Sequence, residues 1–271
     1  MPMRSVLICA ALLLPVATSA ETPGPPAKDG PLCLGYGPQA PRDIRSTAGL
    51  NAVRFAKAPP PEAMNLCNIH THTNAEHAGP GFAIPAADGG RGGFLCAGLE
   101  ALTPAQLVDP EGAHVDPHGY APGDTIEVHW VYSSCDVTPG EGLGACLSDT
   151  CGNPQLRVEA QVFLLVNDAR AMNFLDFDHD RRRVAGRPQP RALPSGTGDP
   201  VVYPGSTTGP SYTQAACSPL QVTWSVRPDC AMLDIGSLRN WVGRNVFHEH
   251  HSHGVRALVT AAELLAPLGM D

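Results

Sequence analysis

The chain has 271 residues, enough for one substantial hydrophobic core. Charged residues make up only 16% of it, and glycine and proline contribute 28 residues each, which excludes a coiled coil, a helical bundle and a highly charged disordered protein. The formal net charge of −8 argues against a nucleic-acid partner. This composition favours short strands joined by turns.

The first twenty residues are typical of a secretory signal peptide. A single basic residue precedes an apolar run, and small residues lead to a cleavage site after Ala20. The apolar run is too short for the roughly 30 Å of hydrocarbon in a bilayer, so we predict no membrane span. We divide the chain into a signal peptide over 1–20, a flexible linker over 21–31 and a folded domain over 32–271, and we expect a periplasmic or secreted protein.

Nine cysteines are present, one of them in the predicted signal peptide. The other eight are an even number in a chain predicted to be exported, which indicates disulfide bonds. A thiolate metal cluster is disfavoured because no Cys-x-x-Cys pair occurs. Eight cysteines allow about a hundred pairings, and their spacing does not choose among them.

Five runs rich in β-branched and aromatic residues predict strands after the linker. They cover 65–73, 125–133, 156–165, 221–226 and 255–260. Two long stretches rich in glycine and proline, 78–95 and 181–218, are predicted to be irregular. Helix signals are weak: Thr103 followed by proline resembles a helix start, and 237–242 suits about one further turn. We therefore predict a single, mainly β domain with long loops.

The eleven histidines are unevenly distributed, and the first cluster contains the pattern His70-x-His72 inside the first predicted strand. Side chains two residues apart on a strand project from the same face, about 6–7 Å apart, so both imidazoles can reach one metal ion. Such a pair is a weak signal on its own. Glu76 and His77 follow closely and are further possible ligands.

The second predicted strand places Glu127 and His129 on one face. The carboxylate matters because metal-bound histidines usually donate their second ring N–H to a carboxylate or a carbonyl group. Three neutral imidazoles with an open fourth position are typical of a catalytic zinc site. The spacing of His70, His72, Glu76 and His129 also outlines the cupin metal motif, but the flanking residues of that motif are missing, so the cupin interpretation ranks below a hydrolytic zinc site.

A third segment, Tyr-Pro-Gly-Ser-Thr-Thr-Gly-Pro over 203–210, precedes a Val-Thr-Trp run over 222–224. Together with the two histidine segments, and in this order, these motifs resemble the alpha class of carbonic anhydrases. The separation of about fifty residues between Glu76 and His129 departs from that class. The block Asn-x-His-x-His-x-x-Ala-Glu-His over 68–77 resembles the delta class, so the chain is similar to an exported, bacterial, delta-class carbonic anhydrase with an alpha-like site.

This resemblance implies a mainly β catalytic domain built around a large, mostly antiparallel, twisted sheet with few short helices. It implies a small-molecule substrate, CO2, which is hydrated to bicarbonate and a proton by attack of a zinc-bound hydroxide. It further implies that His70, His72 and His129 hold the Zn2+ ion.

The resemblance also implies roles for residues around the metal. Thr207 would accept a hydrogen bond from the hydroxide and donate its own hydroxyl hydrogen to Glu76. Glu127 would hydrogen-bond to one of the zinc histidines. Exported alpha-class relatives link the start of the domain to the threonine loop, which implies a disulfide between Cys33 and Cys217.

A last cluster, Phe-His-Glu-His-His-Ser-His-Gly over 247–254, has no counterpart in this resemblance. A solvated loop, a proton shuttle and a second metal site remain open as its role. It also supports an alternative function, a secreted zinc-binding or zinc-delivery protein. Deletion of 248–253 would separate the two functions, because an enzyme should keep its tightly bound zinc.

Overall fold

The computed structural model describes residues 31–86, 92–112 and 119–269. The predicted signal peptide and all but the last residue of the predicted linker lie outside these described residues. Across the described ranges, no helix is both long enough and apolar enough to cross a lipid bilayer.

The structure is mainly β, as predicted, and its strands range from two to 11 residues. In chain order they are β1 (Asn65–Thr73), β2 (Ile84–Pro85), β3 (Phe94–Leu95), β4 (Thr125–Ser133), β5 (Leu156–Val166), β6 (Arg183–Val184), β7 (Arg187–Pro188), β8 (Val201–Ser206), β9 (Gln221–Val226) and β10 (Ala231–Asp234). The described residues contain one α-helix, α1, which spans Ile235–Val242. Short 3-10 turns lie at Pro61–Ala63, Leu99–Ala101, Leu143–Cys146, Phe174–Asp176 and Ala262–Leu264.

Six strands form one mixed sheet in the order β1-β4-β5-β9-β8, with β10 pairing to β5 beyond the end of β9. The pairs β1/β4, β4/β5 and β8/β9 are antiparallel, as expected for a mostly antiparallel sheet. The pairs β5/β9 and β5/β10 are parallel. Because β5 contacts three other strands, it forms the centre of the sheet.

The two faces of the sheet bury different side chains because successive residues of a strand point to opposite sides. On one face, Trp130 of β4 and Phe163 of β5 pack in a core with Trp241 of helix α1. Asp234 caps this helix by accepting a hydrogen bond from the backbone N–H of Ser237 at 2.8 Å, a favoured arrangement at a helix start. The opposite face of β4, β5 and β9 is left to line the candidate site.

The predicted strand over 255–260 is wrong. A strand needs a partner with regularly spaced backbone groups, and this segment has none among the described residues. Its N–H groups bind scattered acceptors instead: Arg256 N to Glu76 Oε1, Val259 N to Pro41 O and Thr260 N to Gln214 Oε1. The predicted helix start at Thr103 leads only into turns, whereas β8 lies inside a stretch predicted to be irregular.

Four disulfide bonds pair all eight cysteines of the described residues. The predicted link between Cys33 and Cys217 is confirmed. The other pairs are Cys67–Cys146, Cys96–Cys230 and Cys135–Cys151. Such a density of disulfides is typical of proteins in oxidising compartments, so the structure favours a periplasmic or extracellular environment.

Candidate metal centre

Three histidines meet on the site face of strands β1 and β4. The antiparallel register places His70 opposite His129 and His72 opposite Glu127. The ring centres lie 5.0 Å apart for His70 and His72, 5.1 Å for His70 and His129, and 4.6 Å for His72 and His129. One ring nitrogen from each lies within 4.8 Å of the others, which is close enough for a shared metal ion.

The second ring nitrogen of each histidine faces an oxygen of the protein. Each of these oxygens can accept a hydrogen bond. In a neutral ring, the proton therefore belongs on the nitrogen that faces the oxygen. The other nitrogen then keeps its lone pair for a metal. The three contacts are His70 Nδ1 to Asn68 Oδ1 at 2.6 Å, His72 Nδ1 to the Gly254 carbonyl at 3.2 Å and His129 Nε2 to Glu127 Oε1 at 2.9 Å.

The three nitrogens that face one another fit a metal ion. His72 Nε2 is buried and has no hydrogen-bond partner in the described structure, a condition that is rare in folded proteins. His129 Nδ1 and His70 Nε2 lie 3.3 Å apart, and with the protons on the opposite ring nitrogens neither can donate to the other. A cation bound by all three would satisfy these lone pairs.

Burial also favours the neutral form of His70 and His72, which is the form that binds metals. It lowers the pKa of His70 well below 6.5, and the neighbouring His72 lowers it further. Burial lowers the pKa of His72 as well, against the opposing effect of the Glu76 carboxylate.

Glu127 is the hydrogen-bonding hub behind the three histidines. Its Oε1 accepts from His129 at 2.9 Å and from His77 Nδ1 at 2.7 Å. Its Oε2 accepts the backbone N–H groups of Glu76 at 2.7 Å and His77 at 3.1 Å. Burial alone raises the pKa of Glu127, but the charge interaction with His77 and the hydrogen bonds from both imidazoles outweigh it and hold the pKa well below 4.5. Glu127 is therefore an ionised, fully buried acceptor.

His77 extends this network rather than binding a metal. Its Nδ1 donates to Glu127, and its Nε2 lies 2.7 Å from the hydroxyl of Tyr203. Burial raises the pKa of Tyr203 well above 10, so the hydroxyl keeps its proton and forms a hydrogen bond with this nitrogen. Both ring nitrogens of His77 are thus occupied by protein partners. Tyr203 was not predicted as a functional residue, although it opens the 203–210 motif.

The hydrogen bond predicted between Thr207 and Glu76 is made one residue later. Thr208 Oγ1 donates to Glu76 Oε2 at 2.7 Å. Thr207 instead pairs its hydroxyl with Ser218 Oγ at 2.6 Å, while its backbone N–H donates to the Leu220 carbonyl and prolongs the pairing of β8 with β9. Successive side chains alternate in such an extended segment, so only one of the two threonines can point toward Glu76.

The three histidines form the floor of a cavity of about 340 Å³. Thr207, Thr208 and His253 also line it. One wall is apolar and consists of alternate residues of β4, β5 and β9: Val131, Leu156, Val158, Val222 and Trp224. The Trp224 ring contacts His129, with ring centres 5.0 Å apart. The cavity thus combines a polar, metal-competent floor with a wall suited to a small apolar molecule.

Comparison with known proteins identifies one family. The family model described as "Delta carbonic anhydrase" matches residues 61–237, which include all three histidines, Glu76, Glu127 and both threonines. No curated protein matches the chain, and no solved structure matches it.

Proposed function

Because the chain belongs to the delta carbonic anhydrase family, we propose that it hydrates CO2 to bicarbonate with a zinc ion held by His70, His72 and His129. The observation that carries this proposal is the convergence of three imidazoles, each with its second nitrogen in hydrogen-bond contact with an oxygen of the protein. Bound zinc lowers the pKa of a coordinated water to about 7, the established value for carbonic anhydrases, and so supplies a nucleophile at neutral pH.

Glu127 holds the His129 ring in the orientation in which Nδ1 faces the metal. As an ionised acceptor it fixes the proton on Nε2 and leaves Nδ1 free for the metal. Its remaining lone pairs are taken by His77 and by two backbone N–H groups, so the carboxylate is held from several directions. This bonding keeps Glu127 from rotating toward the metal itself.

The pair Thr208 and Glu76 orients the attacking group. Thr208 donates its only hydroxyl hydrogen to Glu76, so its oxygen is left to accept a hydrogen bond from a hydroxyl group in the cavity. A hydroxyl group that donates its hydrogen to Thr208 would keep its oxygen lone pairs free to attack CO2, for which the apolar wall of the cavity is suited. The role that the sequence implied for Thr207 therefore passes to Thr208.

The cupin-like alternative conflicts with the position of Glu76. Its Oε1 lies 3.4 Å from His72 Nδ1, whereas the metal-facing nitrogen of that ring is Nε2. Its Oε2 accepts from Thr208. The organised pair of Glu76 and Thr208 also favours catalysis over zinc delivery, since a delivery protein has no use for it.

The test is CO2 hydration measured by stopped flow on protein of known metal content. We expect about one zinc per chain, loss of activity after dialysis against a chelator and recovery when one equivalent of zinc is returned. Activity that survives complete removal of zinc would contradict the proposal. Stoichiometric zinc without CO2 hydration would favour the zinc-binding alternative.

We also propose that the protein acts in the periplasm or outside the cell, in keeping with its four disulfides.

A further inference from the structure

Strand β1 lies at one end of the sheet, and its outer edge is covered beside the metal ligands by the His-rich loop, residues 247–254. The backbone of His253 pairs with this edge: its N–H donates to the Thr71 carbonyl at 2.8 Å, and its carbonyl accepts from the Thr73 N–H at 2.9 Å. Thr71 and Thr73 flank His72 in the chain. The loop therefore binds β1 at the point where β1 carries its ligands.

One buried carboxylate in this loop completes the contact. Glu249 is only 5% exposed, and its Oε1 accepts the Thr71 backbone N–H at 2.8 Å. Its Oε2 accepts from His253 Nε2 at 2.9 Å. Asn245 holds the backbone of Glu249 from both sides, with contacts of 2.7 Å to the carbonyl and 3.0 Å to the N–H. A buried strand N–H without this partner would be left unsatisfied.

The loop contact leads directly to a metal ligand. Gly254 follows His253 in the chain, and its carbonyl lies 3.2 Å from His72 Nδ1. Together with Glu76 Oε1, which lies 3.4 Å from the same nitrogen, this carbonyl fixes which nitrogen of His72 faces the metal. The position of the carbonyl depends on how the loop is held against β1. The loop lies beyond residue 237, where the family match ends.

We infer that Glu249 is a positioning residue that docks the His-rich loop onto β1 and thereby places the Gly254 carbonyl against His72. The inference rests on the proposed metal site. It replaces the expectation that deletion of 248–253 leaves the zinc in place, because that deletion removes Glu249 and the segment that sets Gly254. The loop is thus part of the metal centre.

The test measures zinc affinity by competition with a chromogenic chelator on the full chain, for wild type and the variants Glu249→Ala, Glu249→Gln and Glu249→Asp. Glu263→Gln, at an exposed carboxylate, is the matched control. Near-ultraviolet circular dichroism and thermal unfolding of each zinc-free protein report whether the fold is intact.

We expect Glu249→Ala to weaken zinc binding about 10- to 100-fold, the usual cost of losing the hydrogen-bond support of a metal ligand. Glu249→Gln should stay within a few-fold of wild type, since its amide oxygen can accept from Thr71 and its NH2 can donate to the other tautomer of His253. Glu249→Asp keeps the charge but is about 1.5 Å shorter, so it should weaken binding more than Glu249→Gln.

Wild-type zinc affinity in a folded Glu249→Ala protein would overturn the inference. If Glu249→Ala does not fold, the other two variants decide. Wild-type zinc affinity in Glu249→Asp together with weakened affinity in Glu249→Gln would mean that the charge of Glu249 matters and its position does not, which would overturn the inference. The outcome is independent of catalysis. Wild-type protein that binds zinc but does not hydrate CO2 would refute the proposed function, yet the affinities would still test the docking role of Glu249.

Discussion

The candidate metal centre has one part that is built by strands and one part that is built by loops. Strands β1 and β4 carry all three candidate ligands, and their register sets His70 opposite His129. Loops supply two groups that contact the site: Thr208, after β8, binds Glu76, and the Gly254 carbonyl, beyond helix α1, faces His72 Nδ1. The two-residue alternation along a strand decides which side chains share a face, whereas the loop contacts depend on individual hydrogen bonds. We therefore expect changes on the strands to remove the metal and changes in the loops to alter its reactivity or affinity.

The largest effect should come from the strand part. His129→Ala removes one of three ligands, so we expect the protein to lose stoichiometric zinc. We also expect kcat/KM to fall by more than about 100-fold, because removing a ligand should cost more than removing only the hydrogen-bond partner of a ligand. Zinc per chain after desalting measures this directly. The control is His179→Ala, which removes a buried imidazole that bonds to the Gln189 carbonyl and does not line the cavity. Stoichiometric zinc in His129→Ala would disprove the ligand assignment.

The next effect concerns the threonine loop and separates two adjacent residues. Thr208→Ala should lower kcat/KM by on the order of tenfold to a thousandfold while zinc stays at one per chain, because one positioned hydrogen bond is lost and three imidazoles remain. Thr207→Ala should cost less than Thr208→Ala, since its hydroxyl is bound to Ser218. Stopped-flow CO2 hydration compares the two, and the reverse order would return the role to Thr207.

Glu76→Gln extends this comparison to the partner of Thr208. We expect it to behave like Thr208→Ala and the double variant to be non-additive, because the two groups act as one unit. Steady-state kinetics on the two single variants and the double variant measure the coupling. Loss of zinc in Glu76→Gln would instead make Glu76 a metal ligand.

A smaller effect is expected behind the strand ligands. Glu127→Gln places an amide N–H group against donors that now point at a carboxylate, so we expect zinc affinity to fall about 10- to 100-fold. Chelator competition measures the change. Glu159→Gln is the matched control, because Glu159 is a buried carboxylate of β5 that binds Arg157 and Arg227 away from the cavity. Equal losses of zinc affinity in the two variants would contradict a specific role for Glu127.

The smallest effect is a pH dependence of the zinc-free protein. The pKa of His70 is held below 6.5 by burial, so below about pH 6.5 the unfolded chain takes up a proton that the folded chain refuses. The free energy of unfolding should therefore decrease as the pH falls from about 6.5 toward the lowered pKa. Urea unfolding of the zinc-free protein between about pH 7.5 and 5.5 tests this. His70→Ala should flatten the profile, and an unchanged slope would contradict the lowered pKa.

Four strands of the main sheet could be predicted because they are rich in β-branched and aromatic residues and lie between segments rich in turn residues. The predictions for 65–73, 125–133 and 221–226 match β1, β4 and β9, and β5 extends one residue beyond its prediction. Strand β8 was missed because it contains proline and glycine, which lower β propensity although its pairing with β9 tolerates them. The run over 255–260 failed for the opposite reason, since β-branched residues supply no pairing partner.

The candidate site divides in the same way. His70, His72, Glu127 and His129 lie together because a period of two on paired strands brings them to one face. The choice between Thr207 and Thr208 depends on the local path of a loop, which has no period to read. Gly254 contributes only a backbone carbonyl, which every residue has, so the residue type could not indicate this contact.

The four disulfides have a consequence for the order in which the protein matures. Thiolates are strong zinc ligands, and in the reduced chain eight of them would compete with three imidazoles for the ion; Cys67 lies only three residues before His70. Once the cysteines are paired, that competition ends for every cysteine in the described residues. Oxidation should therefore precede correct metal loading, and zinc offered to the reduced chain should be trapped at the wrong ligands.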